Sequence, residues 1–173
     1  FVLNGFDGLY TMMGVIVGSY VAGQHDPSIV LGTGLAGILA LGVSGSASAY
    51  LAEQAMRERK LKKLEATMLR KLDDSIHGKA GDFAVAFTSL VNGLSPVVTA
   101  SIMVSPFLLS KMGHLQVEYA FISSMLLGAI EITIIGYYLG ALSKRNRIKY
   151  AFKNLLIAGL AAVLSYLAGN ILS

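Results

Sequence analysis

Charge is missing from long stretches of this chain and crowded into short ones, and that segregation restricts the fold more than any other feature. The 173 residues hold 14 Lys and Arg and 10 Asp and Glu, or 14% charged, where a soluble domain carries about 25%. Between the charged clusters run apolar stretches of roughly 20 residues, the length of helix that crosses about 30 Å of hydrocarbon. The expected fold is all-α: a polytopic membrane protein with five transmembrane helices over residues 5–22, 28–52, 83–109, 116–142 and 148–172. Residues 1–55 then hold the first two helices. Residues 56–82 form a short helical segment outside the membrane that extends the second helix, and residues 83–173 hold the last three.

The basic residues set an orientation. Arg57, Arg59, Lys60, Lys62, Lys63, Arg70, Lys71 and Lys79 lie between helices two and three. Lys144, Arg145, Arg147, Lys149 and Lys153 flank the junction of helices four and five, and Lys111 alone falls on the opposite side. This asymmetry places the N-terminus in the cytoplasm and the C-terminus outside. It also accounts for the basic pI of about 9.3 through topology and lipid headgroup contact, with no nucleic acid as partner. The chain has no cysteine, which excludes disulfides and thiolate metal sites. Asp7 inside the first apolar stretch, with no basic leader before it, argues against a cleavable signal peptide. A short chain of this kind points to a prokaryotic cell membrane.

Small residues recur at helix-packing intervals. Gly32, Ala36, Ala40, Ser44 and Ser48 lie four apart on helix two, Gly14 and Gly18 on helix one, and Gly136 and Gly140 on helix four. Such spacing lets helices approach closely in lipid, either within one subunit or across a symmetric dimer.

Polar groups at membrane depth are costly and mark candidate sites. Asp7 stands on helix one and Glu131 near the middle of helix four. Glu131 reads either as a hydrogen-bonded structural carboxyl or as a group for proton coupling or cation binding. Pro96 cannot donate a hydrogen bond and displaces the carbonyl of Asn92, four residues earlier. The freed carbonyl beside an amide side chain makes an oxygen-rich spot for a cation, or a kink that Ser89 or Ser95 satisfies. Met12, Met13, Met103 and Met125 are either soft ligands or core filler. In the segment after helix two, an amphipathic helix with pairs such as Glu58 and Lys62 competes with a small metal-collecting domain built from Glu53, Glu58, Glu65, Met68, Asp73, Asp74 and His77. His25 and His114 are isolated turn residues. No histidine lies in any span, and no nucleophile has a base beside it, so an enzyme is not expected.

The stretch Asp7-Gly8-Leu9-Tyr10-Thr11-Met12-Met13-Gly14-Val15 resembles the first helix of the vacuolar iron transporter family, which carries an Asp-Gly-Leu-x-Thr motif followed by glycine. Ser44 to Ala52 resembles the cytoplasmic end of that family's second helix. Gly136-Tyr137-Tyr138-Leu139-Gly140 resembles the end of its fourth, and Ala158-Gly159-Leu160-Ala161-Ala162 with Tyr166 and Gly169 resembles its fifth. The resemblance implies a homodimeric exporter of ferrous iron or manganese from the cytosol, driven by proton exchange. The metal would be cargo, with no permanently bound cofactor, and the path would follow the dimer interface along helices one and two. It implies a metal role for Asp7, with Thr11, Met12 and Ser44 in the matching stretches beside Glu131 and Asn92. A membrane carboxylate such as Asp7 holds either a proton or a cation, and that competition couples the two. Two family positions differ here: the helix-two methionine falls on Gly45 and the helix-two acid on Gly37. Glu131 is the expected replacement for that acid. The rival reading is a membrane scaffold or assembly protein of the same fold that moves nothing.

Overall fold

The computed structural model describes the backbone of residues 1–68 and 76–172. It contains five helices: α1 Val2–Val21, α2 Pro27–Met68, α3 Ile76–Lys111, α4 Val117–Leu142 and α5 Arg147–Leu172. Three short turns join them as antiparallel neighbours, apart from the passage between α2 and α3. Gly23 (φ +69°) and Gly113 (φ +78°) take the left-handed conformation that stops α1 and α3. At the helix starts, Asp26 Oδ1 accepts the Ser28 N–H at 2.8 Å. Asn146 Oδ1 accepts those of Ile148 and Lys149 at 3.1 and 3.2 Å. These caps supply partners for amides that a helix leaves open.

Among the described residues, four helices are long and apolar enough to cross a membrane: Pro27–Lys63, Phe83–Lys111, Val117–Leu142 and Arg147–Ile171. α1 falls short of the expectation of five, because Asn4, Asp7, Thr11, Ser19 and the glycines at 5, 8, 14 and 18 dilute its apolar residues. The packing explains how it can be so polar. α1 contacts each of the other four helices, while α2, α3, α4 and α5 follow one another around it. Leu9, Met12 and Ile16 of α1 sit at the centre of the core with Val30, Ile38, Met103, Phe107, Phe121 and Ile132. The outer helices instead expose large apolar side chains, among them Leu39, Leu126, Ile134, Leu160 and Leu164. Apolar surface of this extent suits lipid, not water.

Close approaches set the helix crossings. A Cβ at Gly8 would meet the backbone of Pro96, and one at Gly93 would overlap Ser46 and the Gly42 carbonyl of α2. Gly136 and Gly140 pack α4 onto α5, where a Cβ would come within 3.0 Å of Ala151 Cα and 2.7 Å of Arg147 Cα. The stripe on α2 behaves differently. Gly32, Ala36, Ala40, Ser44 and Ser48 are all exposed and serve no packing inside the subunit. α2 also continues as unbroken helix for 42 residues, about 63 Å at 1.5 Å per residue and roughly twice the hydrocarbon thickness.

Candidate functional site

The ring of outer helices is open between α2 and α5, which among the described residues make no substantial contact with each other. α1 shows through that opening. Its first turn is fixed to α3 where Pro96 interrupts the backbone ladder. Ser95 Oγ donates to the Phe1 carbonyl, Thr99 Oγ1 to the Gly5 carbonyl at 3.0 Å, and Asn4 Nδ2 to the Asn92 carbonyl at 3.2 Å. The last bond answers the question raised by Pro96. The carbonyl freed by the proline is satisfied from α1, and neither Ser89 nor Ser95 reaches it: Ser89 bonds Val85 O and Ser95 bonds Phe1 O. Replacing Asn4 by leucine leaves this carbonyl without its donor. We expect a loss of about 1–3 kcal/mol, read as a lower Tm in detergent, and an unchanged Tm would show that another group takes up the bond.

One helical turn after Asn4 stands Asp7. The two line a small cavity of about 160 Å³ with Leu41, Ser44, Gly45 and Ser48 of α2 and Pro96 of α3. Asp7 is exposed, and among the described residues its carboxyl has no hydrogen bond or ion pair. Ser48 Oγ donates to Gly45 O at 3.3 Å and keeps its lone pairs. Asn4 keeps its amide oxygen, since its bond to Asn92 uses the nitrogen. The cavity therefore offers a carboxylate, an amide oxygen and two hydroxyls, an all-oxygen set suited to hard or borderline divalent cations. Among the described residues no three of His, Cys, Asp and Glu gather in one place, so a cation here would need water or a second subunit to complete its shell.

The other expected site residues lie elsewhere. Thr11, one turn beyond Asp7, is exposed along a groove between α1 and α5 shared with Gly14, Gly18, Ser165 and Gly169. Met12 is in the core, 1% exposed, with its thioether packed where α2 passes at Gly34. Asn92 contributes a carbonyl that is already bonded. Glu131 is on α4, outside the lining of the Asp7 cavity, and both its carboxylate oxygens are buried without a hydrogen-bond partner among the described residues. Glu53 is half-buried, and exposed Glu58 accepts from Gln54 Nε2 at 3.3 Å in place of the expected pairing with Lys62. Asp73 and Asp74 lie outside the described residues, as do the side chains of Glu65, Met68 and His77. Asn4 and Gly45 are site residues that the chemical reading of the sequence passed over. For Asn4 the available signal was a polar side chain three residues before Asp7, on the same helical face.

Comparison with known proteins places the chain in a family. The VIT family matches residues 1–81 and 59–170, which together extend over nearly the whole chain. An uncharacterized protein of Methanocaldococcus jannaschii is 32% identical over 165 residues, covering 91% of this chain and 79% of its own length.

Proposed function

The chain belongs to the vacuolar iron transporter (VIT) family, and on that premise we propose that it exports divalent metal cations, ferrous iron or manganese, from the cytosol in exchange for protons. The observation that carries this reading is the position of Asp7. Its carboxylate opens with Ser44 and Ser48 into a cavity on an exposed stretch of α1 beside α2. A charged side chain facing lipid is too costly to keep without a partner or water. A second copy of the chain, seated over α1 and α2, covers this face. It would bring a second Asp7 toward the first and meet the exposed stripe from Gly32 to Ser48.

In this dimer all five helices cross the membrane, with the polar face of α1 on the seam. The basic residues of residues 57–63 and of the α4–α5 turn stay in the cytoplasm, and the C-terminus lies outside. The cavity presents oxygen only, while Met12 and Met13 are buried in the core, which favours manganese and ferrous iron over softer ions. A proton and a cation compete for the Asp7 carboxylate, so protonation there favours cation release. The helix from 53 to 68 extends this path into the cytoplasm, with Glu53 and Glu58 along it. The test is cation flux in liposomes containing the purified dimer, with a pH gradient imposed and then removed, for Mn²⁺, Fe²⁺, Co²⁺ and Zn²⁺. Gradient-dependent flux supports the exporter. Its absence from folded, dimeric protein would leave a scaffold of the same fold.

A further inference from the structure

α4 carries a second acid that the cation cavity does not use. Glu131 follows Ser124 by seven residues, two turns along the same face. Among the described residues, both Glu131 oxygens are closed off from solvent with no hydrogen-bond partner, and Ser124 Oγ, on a residue with no exposed surface, is in the same condition. Gly128 lies between them, where α4 closes onto α3. A Cβ there would stand 2.8 Å from Met103 Cε and 3.0 Å from its sulfur. The two orphan groups thus flank the α3–α4 contact.

As an anion, a carboxyl stripped of water and given no donor is strongly disfavoured, and the packed helices bring no charge to offset it. α3 has no titratable residue between Phe83 and Ser110, and α5 has none between Lys153 and Tyr166. On α1, Asp7 opens into a cavity that no residue of α4 lines, Tyr10 stacks on Phe6, and Tyr20 packs edge-on to Phe121, near the start of α4. On α4 itself the flanking groups, Tyr119 and Tyr137, are exposed. An uncharged side chain of the same size would fill this position without the cost. A carboxyl is useful here only for what distinguishes it, the ability to take and lose a proton.

We propose that Glu131 is a proton-carrying group of the transport cycle, on a route along the α3–α4 contact that is separate from the cation cavity at Asp7. The inference rests on the transport reading above. In this conformation Glu131 holds its proton with access closed on both sides. Ser124, able both to donate and to accept, is the next polar group along the face toward the α3–α4 turn. Exchange requires loosening of the contact at Gly128 and Met103. Pro96 and Pro106 bracket Met103 on α3, and each removes a backbone hydrogen bond that would otherwise stiffen the helix there.

The test follows Mn²⁺ flux into liposomes holding wild-type protein, Glu131→Gln or Glu131→Asp. Wild-type flux should rise when a pH gradient is imposed. Glu131→Gln keeps the shape but cannot cycle a proton. It should lose about tenfold of that acceleration, with a smaller loss in flux down a Mn²⁺ gradient alone. Glu131→Asp should restore the acceleration with a displaced pH profile. Acceleration of Glu131→Gln equal to wild type overturns the inference. Should that variant fail to fold, Glu131→Asp decides, and a pH profile identical to wild type overturns it. Wild-type flux indifferent to the pH gradient removes the proton role and leaves the cation path standing. No Mn²⁺ flux from folded wild-type protein removes the transport reading and this inference with it.

Discussion

Asp7→Asn is expected to stop cation movement while leaving the protein folded. The carboxyl is exposed in a cavity beside α2 and, among the described residues, holds no hydrogen bond or ion pair. An amide of the same size therefore disturbs no packing and orphans no partner. What it removes is the charge, and in the cavity that charge has no substitute: Asn4, Ser44 and Ser48 supply neutral oxygens only. Altering residues that merely orient a metal ligand costs 10–100-fold in affinity or activity. Loss of the one carboxylate should reach at least about 100-fold in Mn²⁺ flux, with Tm and dimerisation near wild type. Ser44→Ala, which deletes one neutral donor, should cost about tenfold or less. Retained flux in Asp7→Asn would sink the assignment of the cavity, and lost flux accompanied by unfolding would show that Asp7 is structural after all.

How far the site could be read from sequence depends on which forces fix each residue. Asp7 announced itself, because a charge inside an apolar stretch is conspicuous with no knowledge of the fold. The Asn92 carbonyl was half legible. The rule for a proline in a helix names the carbonyl that is freed, but its donor, Asn4, lies 88 residues away in sequence, and only the crossing of α1 on α3 brings it there. Thr11 and Met12 show a different limit. They are adjacent, and helical periodicity separates their faces by about 100°. Which face meets the core depends on where α3 and α5 sit, and the structure puts Met12 inside and Thr11 out. The α2 stripe was legible as a contact surface, but its spacing is the same whether the contact is within a subunit or between subunits. Exposure in the folded chain shows that the stripe is not packed against the chain's other helices. The length of α1 fits a span, while its glycines and polar residues suit a central helix better than one facing lipid all round.

The crossing that positions Asp7 depends on Gly8, and a side chain there should have the largest effect on assembly. A Cβ at position 8 would stand 2.7 Å from both Cα and O of Pro96 and 2.8 Å from Thr99 Oγ1. None of these can yield easily. The Pro96 atoms are backbone, held by a ring that fixes φ, and Thr99 Oγ1 is bonded to the Gly5 carbonyl one turn below. Alanine must therefore push α1 away from α3. Overpacking of this kind costs about 1–3 kcal/mol, and the displacement also strains the 3.2 Å bond from Asn4 to Asn92 and draws Asp7 away from α2. Gly8→Ala should lower Tm and weaken Mn²⁺ flux together. Gly8→Val, with two more carbons at the same contact, should fail to give monodisperse protein in detergent. Gly159 is the control with the opposite sign: it is exposed on α5 with nothing within 4 Å of a built Cβ. There alanine should raise stability by up to about 1 kcal/mol through helix propensity. A wild-type Tm for Gly8→Ala would mean that α1 and α3 do not cross this closely. A flux defect with unchanged Tm would place the role of Gly8 in the cavity beside it, and not in the crossing.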